Sequence, residues 1–132
     1  MVSLLKMQSK YLNRKTGTYD SKLESRFSKT LLLELPECII EEKKSIELIP
    51  KFKSNNQTIR AAKVIPDFFI YYNDKLIAIV DTKGFQTEKS KLQFKLLRYK
   101  MYQEGNEVPI FLPTKTSEII KTIIQIKKLI NG

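Results

Sequence analysis

Apolar residues recur along this chain with two different periods, and the switches between them mark out the elements. From Asp20-Ser21 onward, Leu23, Phe27 and Leu31 follow at i, i+4 and i+8, and Ser21 to Glu24 has the spacing of a capping box. This predicts a helix that ends before Pro36. Ser45 to Lys53 alternates Ile46, Leu48 and Pro50 against Glu47, Ile49 and Lys51, as a strand does, and Ser54-Asn55-Asn56 is its turn. Ile59 to Tyr72 and Leu76 to Val80 are β-branched and aromatic, and read as one long hairpin about Asn73-Asp74-Lys75. Leu76-Ile77-Ala78-Ile79-Val80 has no polar face, so this strand is expected at the centre of a sheet, covered on both sides. Thr87 to Gln103 is a second helix stopped by Gly105, and Val108 to Leu112 is a short strand. Ser117 to Ile130 is a last helix with Ile119, Ile123, Ile126 and Ile130 on one stripe. The expected order is α-β-β-β-α-β-α: one α/β domain over 20–132 with a mixed sheet flanked by helices, after a basic arm or short helix at 1–19.

Composition narrows the chemistry. The chain has 132 residues, no His, no Trp, one Cys (Cys38) and a net charge of +10. Without His, no Ser-His-Asp or Cys-His nucleophile system can form. A single Cys excludes an internal disulfide and a thiolate zinc site. Any metal must therefore be held by carboxylate and carbonyl oxygen, which suits Mg²⁺. No apolar run is long enough to span a membrane, and Val2-Ser3-Leu4-Leu5 before Lys6 is too short for a signal-peptide core. The charge is also uneven. Seven Lys/Arg lie in residues 1–29 and six in 83–100, whereas 34–47 carries five Glu and two Lys. Two basic blocks flanking an apolar middle point to a polyanion, most simply nucleic acid.

The candidate chemistry lies on the hairpin. Pro66-Asp67 is followed, after 13 residues, by Asp81-Thr82-Lys83. Acid-x-Lys triplets also occur at Asp20-x-Lys22, Glu41-x-Lys43 and Glu42-x-Lys44, but only Asp81-Thr82-Lys83 follows five apolar residues. A carboxylate at the end of a buried strand is expensive without a counter-charge. A turn centred on Asp74 places Asp67 directly across from Asp81, with Cβ atoms roughly 5 Å apart. Period two puts Lys83 on the face of Asp81. Two opposed carboxylates repel unless a cation lies between them. Pro66 cannot donate to a ladder, so it marks an edge or bulge. Glu24 reads as the acid of the capping box and as a third carboxylate delivered by the first helix, two roles that do not exclude each other.

These residues resemble the PD-(D/E)XK nuclease superfamily. The fuller series is similar to small phage nuclease-like proteins related to phage endonuclease-I-type Holliday junction resolvases. It comprises Tyr19-Asp20-Ser21-Lys22-Leu23-Glu24, Pro50-Lys51-Phe52, Ile65-Pro66-Asp67-Phe68 and Asp81-Thr82-Lys83-Gly84. The resemblance covers roughly residues 10–112 and implies a restriction-endonuclease-like core. It further implies an endonuclease acting on DNA, branched or junction-like, in phage recombination or processing within the bacterial cytoplasm. Asp67, Asp81, the Thr82 carbonyl and Glu24 would hold Mg²⁺, with Mn²⁺ able to take its place, and Lys83 would orient the attacking water. Lys10, Arg14, Lys15, Lys51, Lys89, Lys91, Lys95 and Arg98 would contact phosphates. A homodimer is expected because a symmetric junction needs two cuts. The alternative that composition alone supports is a non-catalytic basic nucleic-acid-binding protein.

Overall fold

The computed structural model describes residues 22–83 and 86–132. The basic arm at 1–19, with Lys10, Arg14 and Lys15, the start of the first helix at Asp20-Ser21, and Gly84 lie outside the described residues. Helix α1 (Lys22–Glu34) turns Phe27, Ser28 and Leu31 inward together with Glu24. Its last turn is closed by the Leu35 N–H donating to the Leu31 carbonyl at 2.9 Å, and Pro36 then prevents continuation.

A four-stranded mixed sheet follows, in the order β1-β6-β7-β8: β1 (Ile39–Glu42), β6 (Phe68–Tyr72), β7 (Lys75–Val80) and β8 (Ile110–Phe111). β1 and β7 run antiparallel to β6, and β8 runs parallel to β7. The sheet has a helical layer on each face. Phe68, Ile70, Ala78 and Val80 pack against α1 and α3 (Thr116–Asn131), through Phe27, Leu31, Ile119, Ile123 and Ile126. On the opposite face Phe69 and Ile79 pack against α2 (Glu88–Gln103), through Phe94, Leu97 and Met101. Both faces of β7 are therefore covered, as its unbroken apolar run requires. The aromatic pair Phe68 and Phe69 is core on both sides. α1 and α3 are joined at the rim by Arg26 donating to Thr116 Oγ1 at 2.8 Å and by Lys127 pairing with Glu34 at 2.7 Å. Among the described residues no helix is long and apolar enough to cross a membrane.

Three expectations need correction. The expected order α-β-β-β-α-β-α undercounts the strands, because among the described residues seven precede α2. Strand β1 was not expected: its two isoleucines lead straight into two glutamates, and no alternation survives over so few residues. The expected strands at 45–53 and 59–72 are each broken by a proline. Pro50 separates β2 (Ile46–Ile49) from β3 (Phe52–Ser54), and Pro66 separates β5 (Ala62–Val64) from β6. β4 (Gln57–Ile59) and β5 do not pair with β7 at all. They fold back on β3 and β2 as a separate two-stranded ribbon.

The hairpin turn is also shorter than expected. Asn73 and Asp74 alone form it, with φ of 50° and 64°, and Lys75 already pairs with Tyr72. Two residues at positive φ make the I′ turn that matches strand twist. A bulge between Ile70 and Tyr71 then shifts the register by one, so Ile70 faces Ala78 and Phe68 faces Val80. Replacing Asp74 by Gly removes the cost of a positive φ at a non-glycine residue. Urea unfolding should show Asp74→Gly more stable by about 0.5–1 kcal/mol with an unchanged m value.

Candidate functional site

One residue beyond Phe68 and Val80 the two strands carry Asp67 and Asp81. The register that the bulge restores brings these residues against each other. The Asp67 N–H donates to Asp81 Oδ1 at 3.1 Å in place of a ladder carbonyl. The chain beyond β7 keeps running beside β8: the Asp81 N–H donates to the Phe111 carbonyl at 3.0 Å and the Lys83 N–H to the Pro113 carbonyl at 3.2 Å. Asp81, Thr82 and Lys83 are thus held in extended backbone, and Lys83 Nζ lies 3.2 Å from Asp81 Oδ2. That contact is an ion pair without good hydrogen-bond direction.

Asp67 is buried and well supplied with donors. Its Oδ2 accepts from the Thr82 N–H at 2.8 Å and from Thr82 Oγ1 at 2.9 Å. Its Oδ1 accepts from Lys43 Nζ at 2.7 Å. The same ammonium lies 2.9 Å from Glu24 Oε2. Glu24 therefore reaches in from α1 to the end of β6, and Lys43 bridges the two. Lys43 follows β1 directly, has φ of 54°, and donates its backbone N–H to the Asp67 carbonyl at 3.2 Å. Three acids from α1, β6 and β7, at 2%, 6% and 1% exposure for Glu24, Asp67 and Asp81, thus meet two lysines at one end of the sheet.

The electrostatics of the two lysines and of Asp81 differ. Burial pulls the Lys43 pKa down, but hydrogen bonds and charge from Asp67 and Glu24 outweigh it and hold it above the usual lysine value. Lys43 is therefore charged throughout the neutral range. Asp81 is pushed up to about 6, first by burial and then by the charge of Asp67, and Lys83 only partly offsets this. Asp81 Oδ2 accepts no hydrogen bond, and the Lys83 ammonium beside it does not make up for the burial.

The donor set is made of hard oxygen, which fits Mg²⁺ or a similar ion. Among the described residues, however, no three acidic or thiol side chains are arranged to hold an ion as they stand. The Lys43 ammonium takes the space between Glu24 and Asp67. A divalent ion shared by those two acids requires Lys43 to swing out, and its side chain is already a quarter exposed.

Lys10, Arg14 and Lys15 lie outside the described residues, and the other residues expected from sequence fall into three groups. Glu24, Asp67, Asp81, Thr82 and Lys83 are brought together. Lys89, Lys91, Lys95 and Arg98 are exposed on α2, and Lys91 is shared with Glu88 at 3.5 Å. Lys51 stands on the ribbon, away from the cluster's own contacts. Lys43 was missed. Its only signal was Glu41-x-Lys43, one of the triplets that lacks an apolar strand before it. The buried Cys38, pushed up to about 11 by burial and then by Glu37, is an unreactive core thiol.

Two outcomes follow from this geometry. Lys43→Met removes the shared counter-charge of two buried carboxylates. Denaturant unfolding in chelator should show a loss of about 2–3 kcal/mol, while an exposed control, Lys95→Met, should show almost none. For Asp81, a folded pKa above the unfolded value of 3.8 means its contribution to stability is present below about pH 4 and is lost as pH rises through about 6. Asp81→Asn keeps the Oδ1 acceptor and removes the titration. Relative to wild type it should therefore gain stability between pH 4.5 and pH 7.5, by on the order of 2 kcal/mol in metal-free buffer. A difference that stays flat across that range would show that Asp81 is not strained by its charge.

No curated protein and no solved structure matches the chain. A family does match, over residues 4–119, which spans the helix, the ribbon, the sheet and the whole carboxylate cluster. The chain belongs to that family, which is described as "Protein of unknown function (DUF1064)".

Proposed function

We propose that this protein is a divalent-metal-dependent endonuclease of the PD-(D/E)XK type, with a restriction-endonuclease-like core, that hydrolyses phosphodiester bonds in DNA. The observation that carries the reading is the convergence of Glu24, Asp67 and Asp81 at one end of the sheet, with Lys83 on Asp81 and an aspartate whose charge its neighbours do not fully offset. Three buried acids gathered at one point, beyond what two lysines fully offset, are the arrangement a divalent cation would complete. The basic faces of α2 and of the ribbon suit a polyanionic substrate, and the sequence resemblance selects DNA with branched structure and a homodimeric enzyme.

In this reading Asp67, Asp81, Glu24 and the Thr82 carbonyl would hold the ion, whose contribution would be to lower the pKa of a bound water and to offset charge on the scissile phosphate. The protein's own residues do the remaining work. Thr82, through its N–H and hydroxyl, fixes Asp67 Oδ2 and so orients that carboxylate. The Asp67 N–H does the same for Asp81. Lys83, 40% exposed beside Asp81, is placed to orient the attacking water or to meet charge developing on the phosphate. Lys43 holds Glu24 and Asp67 together as their shared counter-charge, and would have to leave that place for an ion that both acids ligate.

A gel assay tests the reading. Purified protein with Mg²⁺ is compared on a four-way junction, a linear duplex and a single strand. Cleavage is expected, strongest on the junction, and Asp81→Asn and Lys83→Ala should each lower the rate by about 10²-fold or more while binding persists. Salt-sensitive binding with no product under any divalent ion would instead identify a non-catalytic nucleic-acid-binding protein. Cleavage that survives both substitutions would reject this site.

A further inference from the structure

Between β1 and β6 the chain leaves the sheet altogether. β2 pairs with β5 and β3 with β4, and the register runs from Ile46 opposite Val64 to Ser54 opposite Gln57 with one irregularity between Glu47 and Ile49. The result is one long two-stranded arm, closed at its tip by Asn55 and Asn56, both at positive φ. Its base is anchored. Ile46, Leu48 and Val64 pack with Phe94 and Leu97 of α2, and Gln93 donates to the Lys63 carbonyl at 3.0 Å. Its outer part is not: every residue from Ile49 to Arg60 is exposed. From Ile49 to the tip the arm extends roughly 20 Å at strand rise.

The two faces of the arm differ. Phe52 opposes Ile59 on one face, and Lys53 opposes Thr58 on the other. The same alternation places Lys51 and Arg60 with Lys53. From Leu48 to Pro66 the chain holds four basic residues, Lys51, Lys53, Arg60 and Lys63, and no acid. An isolated two-stranded ribbon is marginal by itself, and one exposed on both faces adds little to the core. A ribbon with a basic face is also the right size to lie against a nucleic-acid duplex or enter its major groove. The root of the arm matters as much as its charge. Lys43 precedes β2 by three residues and Asp67 follows β5 by three, and these two residues are joined by both a backbone hydrogen bond and an ion pair. A duplex gripped by the arm is thereby held next to the carboxylate cluster.

We propose that this arm is a DNA-gripping finger, with Lys51, Lys53 and Arg60 contacting phosphates of duplex that flanks the cluster. The inference rests on the nuclease reading above for the identity of the polyanion, and it deepens that reading by naming the residues of the ribbon that hold the duplex. The two are tested separately by measuring binding of a labelled four-way junction and a linear duplex in EDTA, where no cleavage occurs. The variant is Lys51→Ala/Lys53→Ala/Arg60→Ala, compared with wild type over a salt series. Because all three side chains are exposed, the variant should melt like wild type. Its affinity should fall about 10–100-fold near 0.1 M salt, and the slope of log K against log salt should shrink by about 2–3, the loss of three phosphate contacts. Wild type that binds tightly alongside a variant with the same affinity and slope would overturn the finger and leave the nuclease reading standing. Wild type that binds no DNA would overturn both. A variant that changes oligomeric state by light scattering while its salt slope is unchanged would assign the arm to contact between copies of this chain and would also overturn the proposal.

Discussion

The ammonium of Lys43, lodged between Glu24 and Asp67, adds a charged tie at the sheet end to three parts of the chain that the apolar core and the β1–β6 ladder already hold together. It joins α1 to β6 through two buried carboxylates and comes itself from the end of β1. Removing either acid from water costs several kcal/mol unless a partner is supplied at short range. The contacts at 2.9 and 2.7 Å supply it, and the backbone bond from Lys43 to Asp67 sets where the ammonium can stand. The apolar core places α1 and Thr82 orients Asp67, and this one charge balances the two carboxylates that they bring together.

A counter-charge of this kind is replaceable. Lys43 reaches the two carboxylates from a left-handed backbone and stays a quarter exposed, so under the proposed function it is the group that a divalent ion would displace. Asp81 adds the other half of the logic. Its neighbours leave it under-compensated, and a site that raises a carboxylate to about pH 6 has something to gain from a cation. The structure describes a cluster whose charge is balanced in part by Lys43 and Lys83, with Asp81 raised to about 6 by its burial, and the proposed function assigns the remaining demand to a divalent cation.

Much of this could be read from residue order. The apolar run of β7 between polar segments marked a central strand, and the spacing from Pro66-Asp67 to Asp81-Thr82-Lys83 marked the two acids and the lysine. The opposition of Asp67 and Asp81 was reached through a three-residue turn. In the structure a two-residue turn and a bulge at Ile70–Tyr71 together produce the same register near the acids, so the position was right while its cause was different. What sequence could not show was Lys43. Its role comes from tertiary contact across 19 residues to Glu24 and 24 to Asp67, and locally it looks like one of several lysines among glutamates. The arm was hidden in the same way. Residues 57–64 have strand composition, and nothing local says whether they pair forward with β7 or backward with β2 and β3; the breaks at Pro50 and Pro66 decide it.

The central claim is that this cluster exchanges an internal ammonium for a divalent cation. Titration of Mn²⁺ into the metal-free protein by isothermal calorimetry tests it directly, with wild type, Asp67→Asn and Lys43→Met compared at pH 7.5. The account predicts saturable binding to wild type, its loss in Asp67→Asn, and tighter binding in Lys43→Met, where no ammonium has to leave. Absence of binding in wild type and in Lys43→Met alike would contradict it, and would make the five charged groups a structural ion-pair network only.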